Sequence, residues 1–239
     1  MGKRQELRER RAKQQRTQRI LLIVGVTLVA LALALVFILP NLPQDPGEIA
    51  VPEFFERPQA NLNTAGDPNA PIRIEGYSDY RCVHCRDFYV EKEKQFVEQY
   101  VATGKVYFVY KTVAFGGEES LRAGVAAYCA GEQGRFWDMH DIIFANYGTG
   151  YTDLRLNAFA DKLGLDVGAF KSCLSSNKYS TQVQTVTTAD TQKAGVRATP
   201  SFVLYYTVNG EQRTKLIEGN QPLAVFEQTI NEALAEIGQ

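Results

Sequence analysis

At 239 residues the chain has room for a tail, a membrane segment and one domain of ordinary size. Its net charge of −1 hides a division: residues 1–19 hold eight basic side chains against Glu6 and Glu9, a net of +6, which leaves −7 for the remainder. A basic tail beside an apolar run reads as a membrane topology signal rather than a nucleic-acid contact, and the chain has no Gly-rich phosphate loop or serine-nucleophile arrangement.

Ile20 to Leu39 is twenty residues without a charge, with Thr27 its one polar side chain. As a helix it spans about 30 Å, the thickness of a bilayer core. The competing reading is a cleaved signal peptide, whose apolar region is about 7–15 residues long and ends at a small-residue site. Here the run ends in Phe37-Ile38-Leu39-Pro40-Asn41-Leu42-Pro43. The expectation is therefore an uncleaved anchor over 20–39 held in the lipid bilayer. The basic tail 1–19 is then cytoplasmic and the rest of the chain extracytoplasmic, a single-pass protein of the cell membrane. Residues 40–65 carry Pro40, Pro43, Pro46, Pro52 and Pro58 and read as a linker. If flexible, about 25 such residues would reach about 28 Å, with Phe54 and Phe55 packed against the domain.

The first strand is expected over Ile72–Ser78. A helix should run from Cys82 to about Thr103, stopped by Gly104, with Phe88, Tyr89, Phe96, Val97 and Tyr100 on its apolar face. Lys105–Val113 is rich in aromatic and β-branched residues and predicts a second strand, so the start is a βαβ unit. Helices are expected at 118–131, 135–147, 153–163, 167–175 and 178–194, with Thr152 or Asp153 and Asp166 as N-caps and Gly164 just past a C-terminus. Ser201–Val208 is a strand that Asn209-Gly210 turns towards Thr214–Glu218, and a last helix spans Pro222–Ile237.

Four cysteines lie beyond the apolar run, where disulfides persist if topology is as read. Cys82-Val83-His84-Cys85 stands at a strand-to-helix junction, the arrangement used for dithiol–disulfide exchange. The free N–H groups and positive dipole end of the helix favour a thiolate at Cys82, while Cys85 lies one turn further in, above Phe88 and Tyr89. Cys82, His84 and Cys85 are also soft metal ligands. His140 is the one other histidine, though, and no second C-x-x-C exists, so a closed zinc site is poorly supplied. No metal and no cofactor is expected.

Several stretches resemble the DsbA-like thiol–disulfide oxidoreductases of the thioredoxin superfamily. They are Gly66-Asp67-Pro68-Asn69-Ala70-Pro71, Tyr77 to Cys85, Gly104-Lys105-Val106, Glu132 to His140, Leu163-Gly164-Leu165-Asp166, and Gly195 to Phe202. The likeness covers about residues 66–238. It implies an α/β thioredoxin fold over 66–239 with a helical insertion domain at about 117–194, preceded by one N-terminal transmembrane helix. It implies that Cys82 attacks and Cys85 resolves, that Pro200 is cis beside them, and that Thr199 offers backbone groups to an extended substrate. In the family C-x-H-C accompanies strong oxidants, so His84 is expected to stabilise the thiolate; Val83 departs from the proline often found there. A Cys82 pKa two units below ambient pH would favour the reduced form by about 2.7 kcal/mol, or roughly 60 mV. Glu75 is a candidate carboxylate for tuning proton transfer at the cysteines. Trp137 and His140 match the family but suit core packing. Four cysteines allow three pairings, of which the resemblance implies a second, structural disulfide between Cys129 and Cys173.

The function so implied is an anchored oxidoreductase that donates the Cys82–Cys85 disulfide to cysteine-containing exported proteins. A membrane quinone-linked partner, DsbB-like or vitamin K epoxide reductase-like, would re-oxidise it. A reductase or isomerase on the same fold is the alternative. A non-catalytic scaffold, which would exchange nothing with a dithiol probe, is a third.

Overall fold

The computed structural model describes residues 2–38 and 45–238, in two compact units, 1–45 and 46–239. The first is one helix, α1 (Lys3–Ile38). Within it Lys13–Val36, 24 residues containing an 18-residue window of mean hydropathy 2.7, is long and apolar enough to cross a membrane by length and composition. Ile20, Leu28 and Val36 are all more than half exposed; a helix apolar all round suits lipid better than water. Leu39, the end of the expected anchor, and 40–44, the start of the expected linker, lie outside the described residues.

The second unit is built on five strands: β1 (Thr64–Ala65), β2 (Ile72–Ser78), β3 (Val106–Thr112), β4 (Ser201–Val208) and β5 (Glu211–Glu218). They form one sheet in the order β1-β3-β2-β4-β5. β2 and β3 are parallel, as a helical crossover requires, and the remaining pairs are antiparallel. β2 has neighbours on both sides, and all but one of its residues are buried. The crossover, α2, runs over residues 83–101 as α turns interrupted by wider π turns at Tyr89–Glu93 and Val97–Val101. With α8 (Leu223–Ile237) it covers one sheet face, where Phe88, Phe96, Phe202 and Phe226 stack with ring centroids 4.6–6.5 Å apart. Gly76 belongs to that face: a Cβ there would sit 2.8 Å from the Phe108 ring, so the aromatic layer needs glycine. Tyr77, Val113 and Val203 on the opposite face pack against Val186 and Val196.

Between β3 and β4 lie α3 (Glu118–Gly131), α4 (Phe136–Ala145), α5 (Asp153–Lys162), α6 (Val167–Ser175) and α7 (residues 180–194). The caps follow the side chains: the Thr152 hydroxyl accepts from the Arg155 N–H and Asp166 from the Ala169 N–H. Gly164 at φ +68° ends α5. Cys129 on α3 and Cys173 on α6 are joined across a Cα separation of 5.8 Å.

Three expectations need correction. From Pro46 on, the chain read as linker belongs to the same unit as the sheet. Phe54 and Phe55 pack on the core as expected, but so do Ile49 and Leu62, and the Asn63 side chain donates to the Tyr110 carbonyl at 2.7 Å. Prolines mark extended chain, and extended chain can lie on a surface as readily as span a gap, so the estimate of free reach does not apply here. Within the same stretch Thr64-Ala65 is a strand, too short to leave a period. Finally, β5 begins at Glu211, not Thr214: Asn209 (φ +51°) and Gly210 (φ +81°) alone close the hairpin, the two-residue turn that suits strand twist.

The Cys129–Cys173 bridge closes a separation of 44 residues, for which the chain-entropy account gives at most about 4 kcal/mol. Replacing both cysteines with alanine should lower the free energy of urea unfolding by about 2–4 kcal/mol while Cys82 alkylates at an unchanged rate. A loss within experimental error would show that the bridge adds nothing.

Candidate active site

β2 ends at Ser78, and Asp79-Tyr80-Arg81 leads to Cys82, the N-cap of α2. Asp79 is 1% exposed, and its carboxylate is the knot of this turn. One oxygen accepts from the Arg81 N–H at 2.7 Å and the Ser120 hydroxyl at 2.5 Å. The other accepts from the Gly116 N–H at 2.7 Å. The Tyr151 and Tyr147 hydroxyls donate to the Tyr80 and Arg81 carbonyls at 3.1 and 3.2 Å. The turn before the first cysteine is thus held by the helical insertion and the loop leading into it. In the sequence Asp79 falls inside the Tyr77–Cys85 motif with no role of its own. A carboxylate immediately after a buried strand and three residues before a helix N-cap was the available signal.

The two sulfurs occupy opposite environments, and they are not joined to each other in this structure. Cys82 is half-buried, its sulfur 3.2 Å from the Thr199 carbonyl oxygen across the cis Thr199–Pro200 bond. Cys85 is 2% exposed, its sulfur accepting from the Asp79 N–H at 3.4 Å. A hydrogen bond from the Cys85 thiol pulls Cys82 down to about 5, against desolvation, with help from the Thr199 hydroxyl and the backbone N–H groups of Cys85 and His84. Burial, and the same contact seen from its other end, push Cys85 well above the ordinary thiol value. The pair is divided into a ready nucleophile and a reluctant one.

Thr199, Pro200, Cys82 and Cys85 come together. His84 is adjacent in a different sense from the one expected: its imidazole is exposed and has no hydrogen-bond partner among the described residues, and its backbone N–H is what reaches Cys82. Glu75 is on the wrong face of the sheet. Successive strand residues alternate faces, so with Gly76 and Ser78 beside Cys85, Glu75 points away. There it accepts from the Tyr77 hydroxyl at 2.8 Å and pairs with Arg73 at 3.3 Å and Lys111 at 3.8 Å. The carboxylate on the cysteine side is Glu93, 2% exposed. It lines, with Ser78, Cys85, Tyr110 and Pro200, a void of about 10 Å³ under the active site. Sequence periodicity hid it: on a regular α-helix Glu93 would lie about 80° round from Cys85, and the π turn at Tyr89–Glu93, bonded i→i+5, takes up the extra residue. Trp137 and His140 are buried in the insertion core. Among the described residues no cluster of three or more His, Cys, Asp or Glu side chains is placed to hold a metal ion.

The family profile described as thioredoxin matches residues 61–231. A 153-residue stretch is 28% identical to the Na(+)/H(+) antiporter NhaA 1 of Salinispora arenicola, covering 62% of this chain and 21% of that protein. The chain thus spans about a fifth of the length of the first curated relatives it matches. The probable disulfide bond formation protein D of Bacillus anthracis is 29% identical over 145 residues, 57% of this chain and 66% of that one. Among solved structures, alpha-DsbA1 of Wolbachia pipientis superposes with a TM-score of 0.63 at 22% identity, covering 76% of this chain and 94% of its own. That likeness is one of fold.

The depressed Cys82 value sets a pH signature. Its thiolate favours the reduced folded state fully above the ordinary thiol value of 9.0, and that contribution is lost as pH falls through about 5. Cys85, raised above 9.0, is a thiol both folded and unfolded below that value and adds no slope there. The alkylation rate of the reduced protein should therefore rise with a midpoint near 5, and the stability of the reduced over the oxidised form should shrink towards that pH. A midpoint at about 8.5, as for a free cysteine, would contradict the geometry.

Proposed function

The chain belongs to the thioredoxin family, and from that premise we propose that it is a DsbA-like protein thiol–disulfide oxidoreductase anchored in the cell membrane by 20–39. Its Cys82–Cys85 disulfide is donated to cysteine-containing exported proteins on the outer side. The unequal placement of the two sulfurs carries this reading. A disulfide whose reduced form gains a stabilised thiolate at Cys82 is readily given away. Orientation rests on the eight basic residues in 1–19, which favour a cytoplasmic N-terminus.

The exchange runs in two displacements. A substrate thiolate attacks the Cys82 sulfur; the Cys82–Cys85 bond breaks, and its electron pair leaves on Cys85, which takes a proton. A second substrate thiolate attacks the substrate sulfur of the mixed disulfide and releases Cys82 as the thiolate. The substrate departs with a disulfide, and the enzyme holds the two electrons. Thr199 and Pro200 border Cys82 and offer backbone to an extended substrate segment. Re-oxidation falls to a quinone-linked membrane partner of DsbB-like or vitamin K epoxide reductase-like kind.

The reduction potential of the pair in the full chain, in nanodiscs and glutathione buffers, tests the direction. A value of about −120 to −180 mV marks a disulfide donor, whereas about −270 mV marks a reductase. Cys82→Ser should abolish turnover and Cys85→Ser should accumulate mixed disulfides with exported proteins. A fully active Cys82→Ser protein would refute the mechanism.

A further inference from the structure

Each turnover leaves a proton to be placed on, or taken from, a sulfur that water does not reach. Cys85 is 2% exposed, and the space beside it is the void of about 10 Å³ that Ser78, Tyr110 and Glu93 also line. That volume is near the lower limit for one water molecule. The Tyr110 hydroxyl, on a residue that lines this void, is buried without a hydrogen-bond partner among the described residues.

Behind Glu93 stands a buried charge cluster that the exchange mechanism has not used. Arg57, from the arm 46–63, donates to Glu93 at 2.6 Å and to both oxygens of Asp141 at 2.7 and 3.0 Å. Its guanidinium lies between the Phe55 and Trp137 rings, 3.8 and 4.5 Å from their centroids. His140 places one ring nitrogen 2.9 Å from Asp141 and the other 3.6 Å from Glu93. None of the four residues is more than 5% exposed. Two carboxylates thus share one guanidinium in a place where unmatched charge is costly. Tyr80, Tyr89, Tyr110 and Cys85 are the other titratable groups around Glu93.

We propose that Glu93, backed by His140 and Asp141, exchanges the proton of Cys85 across the void, and that Arg57 is the positioning residue holding Glu93 there. The arm leading from the N-terminal helix is then part of the redox apparatus. The inference rests on the proposed exchange activity. In re-oxidation the Cys82 thiolate attacks a disulfide of the oxidising partner, forming a mixed disulfide and releasing one partner thiolate. Cys85 passes its proton to the cluster and its sulfur attacks Cys82. The Cys82–Cys85 bond forms, the second partner thiolate leaves, and the partner carries away the two electrons. In donation the cluster returns the proton to Cys85.

The test is rapid-quench reaction of the full-length reduced protein with excess oxidised glutathione. The concentration-dependent phase reports Cys82, and the concentration-independent phase reports attack by Cys85. In the wild type that second phase should be independent of pH across neutrality. In Glu93→Gln it should be about 100-fold slower near neutrality and rise tenfold per pH unit, with the first phase unchanged. Arg57→Met should slow the second phase and Arg57→Lys should restore most of it. A wild-type second phase that itself rises tenfold per pH unit would overturn the proposal, whether or not Glu93→Gln folds. So would a folded Glu93→Gln protein with the wild-type rate. Absence of the first phase would instead overturn the exchange activity on which the inference rests.

Discussion

Two sulfurs one helical turn apart must be kept in unlike surroundings, and much of the fold answers to that constraint. A helix N-terminus stabilises a thiolate only if the cysteine caps it, and a thiol one turn later is desolvated only if that turn rests on a dry layer. The central strand β2 delivers both. Flanked by β3 and β4, it is fixed in register and aims its end at the α2 N-terminus. Gly76 lets the rings of Phe108 and Phe202 close beneath Cys85. A side chain at that position would push the aromatic layer away and let water approach the sulfur meant to be without it.

The helical insertion is the rear wall of this site rather than an appendage. Asp79 joins the turn before Cys82 to Ser120 on α3 and to Gly116, and Tyr147 and Tyr151 hold the carbonyls of that turn. Each bond is worth about 1 kcal/mol net, but a buried carboxylate stripped of its donors costs more than the bonds it loses. The insertion therefore fixes where Cys82 can be. The Cys129–Cys173 bridge, between α3 and α6, ties the helix that supplies Ser120 to its neighbour.

What could be read from the sequence was whatever is local. Helices stopped where Gly104 and Gly164 adopt positive φ, caps sat on Thr152 and Asp166, and a C-x-x-C at a strand end could be placed at a helix N-terminus without knowing the rest. Illegible were the relations that only tertiary structure creates. Thr64-Ala65 is a strand because β3 has a free edge beside it. Glu75 was one residue out of phase, since alternation along β2 puts it opposite the cysteines. Glu93 was hidden by a π turn that no hydrophobic period announces. His84 stands in the right motif, yet it is the backbone N–H of that residue, common to every residue but proline, that reaches the sulfur.

Arg57 shows why such relations matter. A guanidinium shared by two buried carboxylates is weak support for stability, because desolvating three charges roughly cancels their attraction. Burial alone would lower its pKa, but Glu93 and Asp141 outweigh that and hold it raised, so the positive charge is permanent. If holding the arm were the whole purpose, apolar side chains beside Phe54 and Phe55 would do it at less cost. What apolar side chains cannot do is hold two carboxylates and an imidazole beside a void shared with Cys85. The cluster keeps a position for the Cys85 proton inside a core otherwise built to exclude water, and the arm that brings Arg57 completes it.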